Sequence, residues 1–195
     1  STYKGKQTGT FGHFNALSFN GNKIITTSGG GMLLSNDETA IKKARFWSTQ
    51  SREPYPWYEH KEIGYNYRMS NVVAGIGRGQ LLYIDNHHEL KKKIYETYKA
   101  AFNDIEAVKM NPYLSCSSPN FWLSCITIDP NKSKIKLEEV IKALSEENIE
   151  CRHIWKPMHL QPVFKDRDFI ALNNDGPSVG EEVFNTGLCL PSDIK

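Results

Sequence analysis

The chain has 195 residues, 39% of them hydrophobic and 24% charged, with a formal net charge of +2. That length holds one ordinary domain or two small ones, and so small a charge argues against nucleic acid as a partner. No apolar run is long enough to span a bilayer, no signal-peptide pattern is present, and Cys116, Cys125, Cys151 and Cys189 form no C-x-x-C pair, so they read as reduced thiols of a cytoplasmic protein rather than zinc ligands or a disulfide frame.

The opening Ser1-Thr2-Tyr3-Lys4-Gly5-Lys6 has no methionine and leads straight from a turn into a strand, as expected of a piece excised from a longer protein. Phe14 to Phe19 reads as a short buried strand, Asn20-Gly21-Asn22 as a tight turn, and Ile24 to Thr27 as a second extended piece before Gly29, Gly30 and Gly31. Lys23 stands where the turn gives way to this second piece. A lysine amine held beside apolar residues is desolvated, and its lone pair is freed for attack on a carbonyl, which is Schiff-base chemistry. Ser18, Asn20, Thr26 and Thr27 supply hydroxyls and an amide suited to a phosphate. The spacing alone fits an ordinary solvated turn lysine as well, and it is not a Walker loop, because no glycine precedes Lys23 in the required arrangement.

Met32-Leu33-Leu34 reads as a buried strand, and Asn36 as the cap of a helix running to about Phe46. Trp47 to Lys61, with two prolines and several aromatics, suits a surface loop, in which Arg52, Tyr58 and His60 are the binding candidates. Gly64-Tyr65-Asn66-Tyr67-Arg68 then lies just outside a helix that Ser70 or Asn71 caps, where backbone amides attract anions. From Gly75 to Phe102 breakers are few. Leu90, Ile94, Tyr98 and Phe102 recur every four residues as an apolar stripe, with Lys91, Lys92, Lys93 and Lys99 on a solvated face. His87-His88-Glu89 is no metal site, since adjacent helical residues diverge. Past Ile105, a strand over Phe121–Ile128, a helix from Leu137 to Glu147 and a strand over Ile149–Ile154 make a small α/β layer. Trp155-Lys156-Pro157-Met158-His159-Leu160-Gln161-Pro162 closes it as a fixed corner.

Three blocks of this sequence resemble one family. S-F-x-x-x-K over Ser18, Phe19 and Lys23, followed by T-T-S-G-G-G, is similar to the lysine segment of the DegT/StrS-type sugar aminotransferases. G-Y-N-Y-R-x-S-N from Gly64 to Asn71 resembles a second signature of that family. W-K-P-M-H-L-Q-P resembles a segment of the subgroup that aminates UDP-4-keto-6-deoxy-N-acetylhexosamines, and the loop T-Q-S-R-E and Tyr58-Glu59-His60 resemble the stretch near the sugar-nucleotide site, with Ser51 where relatives carry alanine.

The resemblance implies an α/β architecture: the C-terminal part of a fold-type I pyridoxal-phosphate transferase, with the end of the large cofactor domain over residues 1–85 and a connecting helix and small C-terminal domain over 86–195. It implies that Lys23 binds pyridoxal 5'-phosphate as an imine, that Ser18 contacts the cofactor phosphate, and that Asn66 reaches the phosphate of the partner subunit in a homodimer. Arg52, Tyr58, His60, Tyr67, Arg68, Trp155, Lys156 and His159 are the implied substrate-binding residues, and no metal is involved. The implied reaction moves an amino group from L-glutamate to the keto carbon of a UDP-linked 4-keto-6-deoxy sugar for glycan biosynthesis. The ring-stacking aromatic and the aspartate on the pyridine nitrogen lie upstream in family members, so this chain alone is expected to be inactive. A sugar dehydratase of the same fold, with histidine in place of the lysine, and a non-catalytic dimerisation fragment are the alternatives.

Overall fold

The computed structural model describes residues 1–171 and 176–194. In chain order the elements are β1 (Thr2–Tyr3), β2 (Lys6–Gln7), β3 (Asn15–Ser18), β4 (Gly31–Leu34), α1 (Glu38–Ser48), α2 (Asn71–Leu81), α3 (Ile84–Ala101), β5 (Val108–Met110), β6 (Ser117–Ser118), β7 (Ser124–Ile128), α4 (Leu137–Glu146), β8 (Arg152–His153), α5 (Val179–Thr186) and β9 (Gly187–Leu190), with two 3₁₀ turns over Met158–Leu160 and Pro162–Phe164. They form two units: Ser1–His88 with Leu114–Asn120, and Glu89–Tyr113 with Phe121–Lys195.

In the first unit β1 pairs antiparallel with both β2 and β6, and β3 pairs with β4 in the register Asn15↔Leu34 to Ser18↔Gly31. Asp37, not Asn36, caps α1, its carboxylate accepting from Ala40 N–H at 2.9 Å, and Ser70 caps α2 by accepting from Val73 N–H at 3.3 Å. Both short polar side chains satisfy amides that the first helical turn leaves without a partner. The β3–β4 hairpin departs from the expected buried strands, because Phe14, Leu17, Met32 and Leu33 are all exposed. The register puts Leu17 with Met32 on one face and Leu33 on the other, so the exposed apolar side chains are spread over both faces of the hairpin. Ile24 to Thr27 forms no ladder. It instead turns Ile25 and Thr27 inward, where both are buried. Gly77 of α2 lets the helix come this close, since a Cβ there would meet the Thr27 methyl at 2.7 Å.

The second unit holds a four-stranded sheet in the order β5-β7-β9-β8, antiparallel throughout. Ile126, Ile128, Leu137, Leu188 and Leu190 make its core, and Tyr98, Phe102, Val140, Ile141 and Leu144 pack on them from α3, the residue just after it, and α4. The expected uninterrupted helix from Gly75 onward is broken at Leu82-Tyr83, where Tyr83 N–H bonds back to Gln80 O at 3.0 Å in a tight turn.

The buried stripe of α3 also differs from the expected one. Its fully buried residues are Lys91 and Tyr95 while Leu90 is exposed, whereas Tyr98 and Phe102 of the expected stripe do pack on the core. Lys91 is not on a wet face: only 5% exposed, its ammonium donates to Ser192 O at 2.8 Å and to Trp122 O at 3.3 Å. Burial holds its pKa below the ordinary lysine value, and the nearby Asp193 charge offsets part of that. Tyr95 and Tyr98 likewise end on carbonyls, Asn111 O at 2.8 Å and Pro191 O at 3.0 Å, which explains why three polar-tipped side chains tolerate this side of the helix.

Candidate functional site

Lys23 sits in a loop whose two flanks are tied down. Phe19 N–H bonds to Gly30 O at 3.0 Å, and the Phe19 carbonyl accepts from Thr27 N–H at 2.9 Å and from the Thr26 hydroxyl at 3.1 Å, so residues 20–25 close as a loop on the end of β3. Lys23 N–H bonds to Asn20 O at 3.0 Å and fixes the turn itself. From α2, Gln80 Oε1 accepts from Thr26 N–H at 2.7 Å, and from the first turn of α3 His87 Nδ1 lies 3.1 Å from Ile24 O. Lys23 is half-buried there. Ser18, at the end of β3, is exposed, and its oxygen is only 3.5 Å from Asn20 N–H.

The two threonines do not serve as free phosphate donors. Thr26 Oγ1 donates to Phe19 O and accepts from Ser28 N–H, and Thr27 Oγ1 donates to Gly29 O, so both hydroxyls are consumed in shaping the loop. The Lys23 amine and the exposed Ser18 hydroxyl are the group types that an aldehyde-bearing phosphate ester requires, a nitrogen for the carbonyl and an O–H donor for the phosphate.

A second feature of the first unit forms where α1 ends. Tyr65 N–H bonds to Trp47 O at 2.7 Å, Gln50 N–H to Tyr65 O at 2.9 Å and Tyr67 N–H to Ser48 O at 3.0 Å, so residues 64–67 run beside the end of the helix. Gln50 and Ser51 both have positive φ, 71° and 49°, an uncommon conformation for residues with a Cβ. Ser51 is fully buried, and its hydroxyl donates to Ile63 O at 3.1 Å. Gly64 is packed so tightly that a Cβ would lie 2.2 Å from the Gln50 carbonyl carbon.

Around this crossing lies an open recess of about 670 Å³, lined by Gln50, Tyr58, His60, Lys61, Glu62, Ile63, Gly64 and Asn66. Three expected residues, Tyr58, His60 and Asn66, thus share one recess. Arg52 stands over the Tyr58 ring with Cζ 4.2 Å from its centroid. His60 Nδ1 is 2.8 Å from Gln50 O, an arrangement that needs the hydrogen on Nδ1 and leaves Nε2 as the acceptor of the neutral ring. Tyr67 stacks on Tyr65 at 4.9 Å, and Arg68 is exposed.

Gln50, Lys61 and Glu62 were not anticipated. Glu62 is held by Lys43 Nζ and by Trp47 Nε1 at 2.7 Å. These bonds, the lysine's first, hold its carboxyl below the ordinary range. The signal was Lys61-Glu62 following His60 directly, but the partners come from α1 and its end, which spacing along the chain does not reveal. Ser18 and Lys23 are not among the residues lining the recess.

Trp155, Lys156 and His159 belong to the second unit. Trp155 is exposed and inclined to Trp122 with centroids 5.7 Å apart, and Lys156 is exposed. His159 stacks on Phe169 at 3.7 Å and 14°, and its Nε2 is buried, 3.7 Å from Glu181 Oε2. Glu181 also closes the capping box of α5 with Ser178, bonds that lower its pKa more than the histidine does. No cluster of metal-ligating side chains exists among the described residues, and no helix among them is long and apolar enough to cross a membrane.

Comparison with known proteins gives this geometry its context. EpsN of Bacillus subtilis (strain 168), which carries the name of a pyridoxal phosphate-dependent aminotransferase, is 49% identical over 192 residues, 98% of this chain and 48% of EpsN. The GDP-perosamine synthase of Caulobacter vibrioides is 32% identical over 193 residues, 98% of this chain and 50% of the synthase. The structure of Helicobacter pylori PseC, an aminotransferase of pseudoaminic acid biosynthesis, superposes with a TM-score of 0.82 at 23% identity over 98% of this chain and 51% of PseC, a likeness of fold. The chain spans about half the length of the curated relatives it matches. Since the sequence pattern of the family extends over residues 1–194, the chain belongs to the DegT/DnrJ/EryC1/StrS aminotransferase family.

Proposed function

We propose that this chain is part of a pyridoxal-phosphate-dependent sugar aminotransferase in which Lys23 is the catalytic residue. The observation that carries the reading is the position of Lys23: half-buried on a loop tied to β3, α2 and His87, the loop that follows the strand ending in the exposed Ser18. Lys23 Nζ would hold the cofactor covalently, Ser18 Oγ would donate to its phosphate, and the Asn66 side chain would do so across a two-fold homodimer. When bound, pyridoxal phosphate supplies an electron sink for the carbon that loses its proton. Once released by the amino donor, the Lys23 amine works as the base that takes and returns that proton, and it does so only in its neutral form.

For substrate we propose a UDP-linked 4-keto-6-deoxy-N-acetylhexosamine with L-glutamate as amino donor. Support comes from the recess around His60 and Asn66, with Arg52 braced on Tyr58 as a fixed fork of donors for a diphosphate or carboxylate. Tyr67, Arg68, Trp155, Lys156 and His159 complete the proposed substrate set, and a cytoplasmic location belongs to the same proposal. The chain by itself is proposed to be inactive. Lys23 also weighs against a dehydratase, which in this fold works with histidine at that position.

The test is borohydride reduction of the full-length protein with pyridoxal phosphate, followed by mass spectrometric mapping. An adduct confined to Lys23, and loss of transamination in Lys23→Ala with the fold retained, is the expected result. Turnover near normal in that variant overturns the assignment. Comparing UDP- with GDP-linked keto sugars tests the nucleotide separately.

A further inference from the structure

Two thiols 64 positions apart in sequence meet in the middle of the second unit's sheet. Cys125 of β7 and Cys189 of β9 are register partners, and their sulfurs are 3.5 Å apart. The hydrogen bonds of the ladder show which kind of pair they form. Cys125 N–H donates to Asn111 Oδ1 and its carbonyl accepts from Asn111 N–H, both at 2.9 Å, so its backbone polar groups face the β5 side. Asp129 N–H to Ala107 O, four residues further along β7's path, repeats that alternation. Toward β9, Cys125 is therefore a non-hydrogen-bonded position. Directly opposed residues of that kind have Cα atoms only about 4.5 Å apart, with their side chains at closest approach. Disulfides bridge Cα separations of about 4.4–6.8 Å, so this pair falls inside the range with little backbone movement.

We propose that Cys125 and Cys189 are a reversible oxidation site, a dithiol that peroxide converts to a cross-strand disulfide. Cys189 is the attacking thiol and Cys125 the resolving one. The Cys125 S–H donates to the Cys189 sulfur, and Arg152, the register partner of Cys189 on β8, adds positive charge on the same side, so the Cys189 proton is held less tightly than that of an ordinary thiol. The Cys125 thiol is pushed the other way by that same hydrogen bond and by burial. In the first step the Cys189 thiolate attacks one peroxide oxygen, the O–O bond breaks, and one water and a sulfenic acid result. In the second the Cys125 sulfur attacks the sulfenic sulfur, the S–O bond breaks, and a second water leaves. Two thiols lose two electrons and two protons in all, and one hydrogen peroxide is reduced to two waters. Peroxide is small enough for a pair in which Cys125 is half-buried and Cys189 is 8% exposed.

The remaining cysteines act as internal references. Cys116 is exposed in the other unit, and Cys151 is half-buried with its thiol pKa raised by burial. The experiment treats the protein with hydrogen peroxide, alkylates the remaining thiols, and maps peptides by mass spectrometry with and without dithiothreitol. The expected result is a loss of two of the four thiols, a mass lower by two hydrogens, a linked peptide pair containing Cys125 and Cys189, and full recovery on reduction. Cys116→Ser leaves this outcome unchanged, whereas Cys125→Ser leaves Cys189 as an unresolved sulfenic acid. Peroxide that oxidises Cys116 while Cys125 and Cys189 both remain alkylatable overturns the proposal, as does a linkage of Cys189 to Cys151.

Discussion

Gly64 shows how one residue shapes the candidate site. A side chain there would strike the backbone of Gln50 and Ser51, two residues already at positive φ, and backbone has no alternative rotamer to retreat into. Gly64→Ala is therefore expected to destabilise the protein by about 1–3 kcal/mol and to spread the recess open. Urea unfolding gives the first effect; the fluorescence of Trp47, whose indole is tied to Glu62 in the recess wall, reports the second. A Gly64→Ala variant with wild-type stability and unchanged Trp47 emission would refute it. The glycine was visible in the sequence as part of G-Y-N-Y-R, but its reason was not, because the atoms it must avoid belong to residues more than a dozen positions away. Lys23 is the opposite case in its turn alone: Asn20 to Lys23 closes locally and was readable, whereas Ile24 to Thr27 is held by distant Gln80 and His87.

At the level of elements, the starts of α1, α2 and α4 were legible since each depends on neighbours in sequence, as Ser70 before α2 illustrates, whereas the α1 cap and the break between α2 and α3 were not. The face of α3 was legible only in part. The expected stripe holds at Tyr98 and Phe102, which pack on the core, but in the first half of the helix Lys91 and Tyr95 are buried while Leu90 is exposed. What decided the first half was the supply of carbonyls, from Trp122, Ser192 and Asn111, to the polar tips of Lys91 and Tyr95. Leu90→Ser is accordingly expected to change stability by no more than about 0.5 kcal/mol. Lys91→Ala strands two carbonyls and is expected to cost about 1–3 kcal/mol. Equal effects of the two substitutions in paired denaturation curves would contradict this assignment of the buried face.

Over the whole molecule, packing is unevenly shared between the two units. The second has a contiguous aliphatic core on its four-stranded sheet, whereas the first exposes the apolar residues of the β3–β4 hairpin. Local opening free energies follow buried apolar contact, so amide hydrogens of β7 and β9 are expected to exchange slowest and those of β3 and β4 faster. Hydrogen exchange followed by mass spectrometry checks the order, and hairpin amides as protected as those of β7 would reverse the conclusion.

The sequence by itself determined the family, through three separated blocks, and the tight turn from Asn20 to Lys23, because the hydrogen bond that closes it joins neighbours in the chain. It also determined the starts of α1, α2 and α4 to within one residue, but not that of α3, which only the break after Leu81 sets. Only the tertiary structure decided that His60, Asn66 and Tyr58 line a common recess with Glu62, that Lys91 is buried, and that Cys125 faces Cys189. Each of those depends on register or on the meeting of distant backbone, and hydrogen-bond alternation between strands is set by the pairing of whole segments rather than by the residues at either end of a contact.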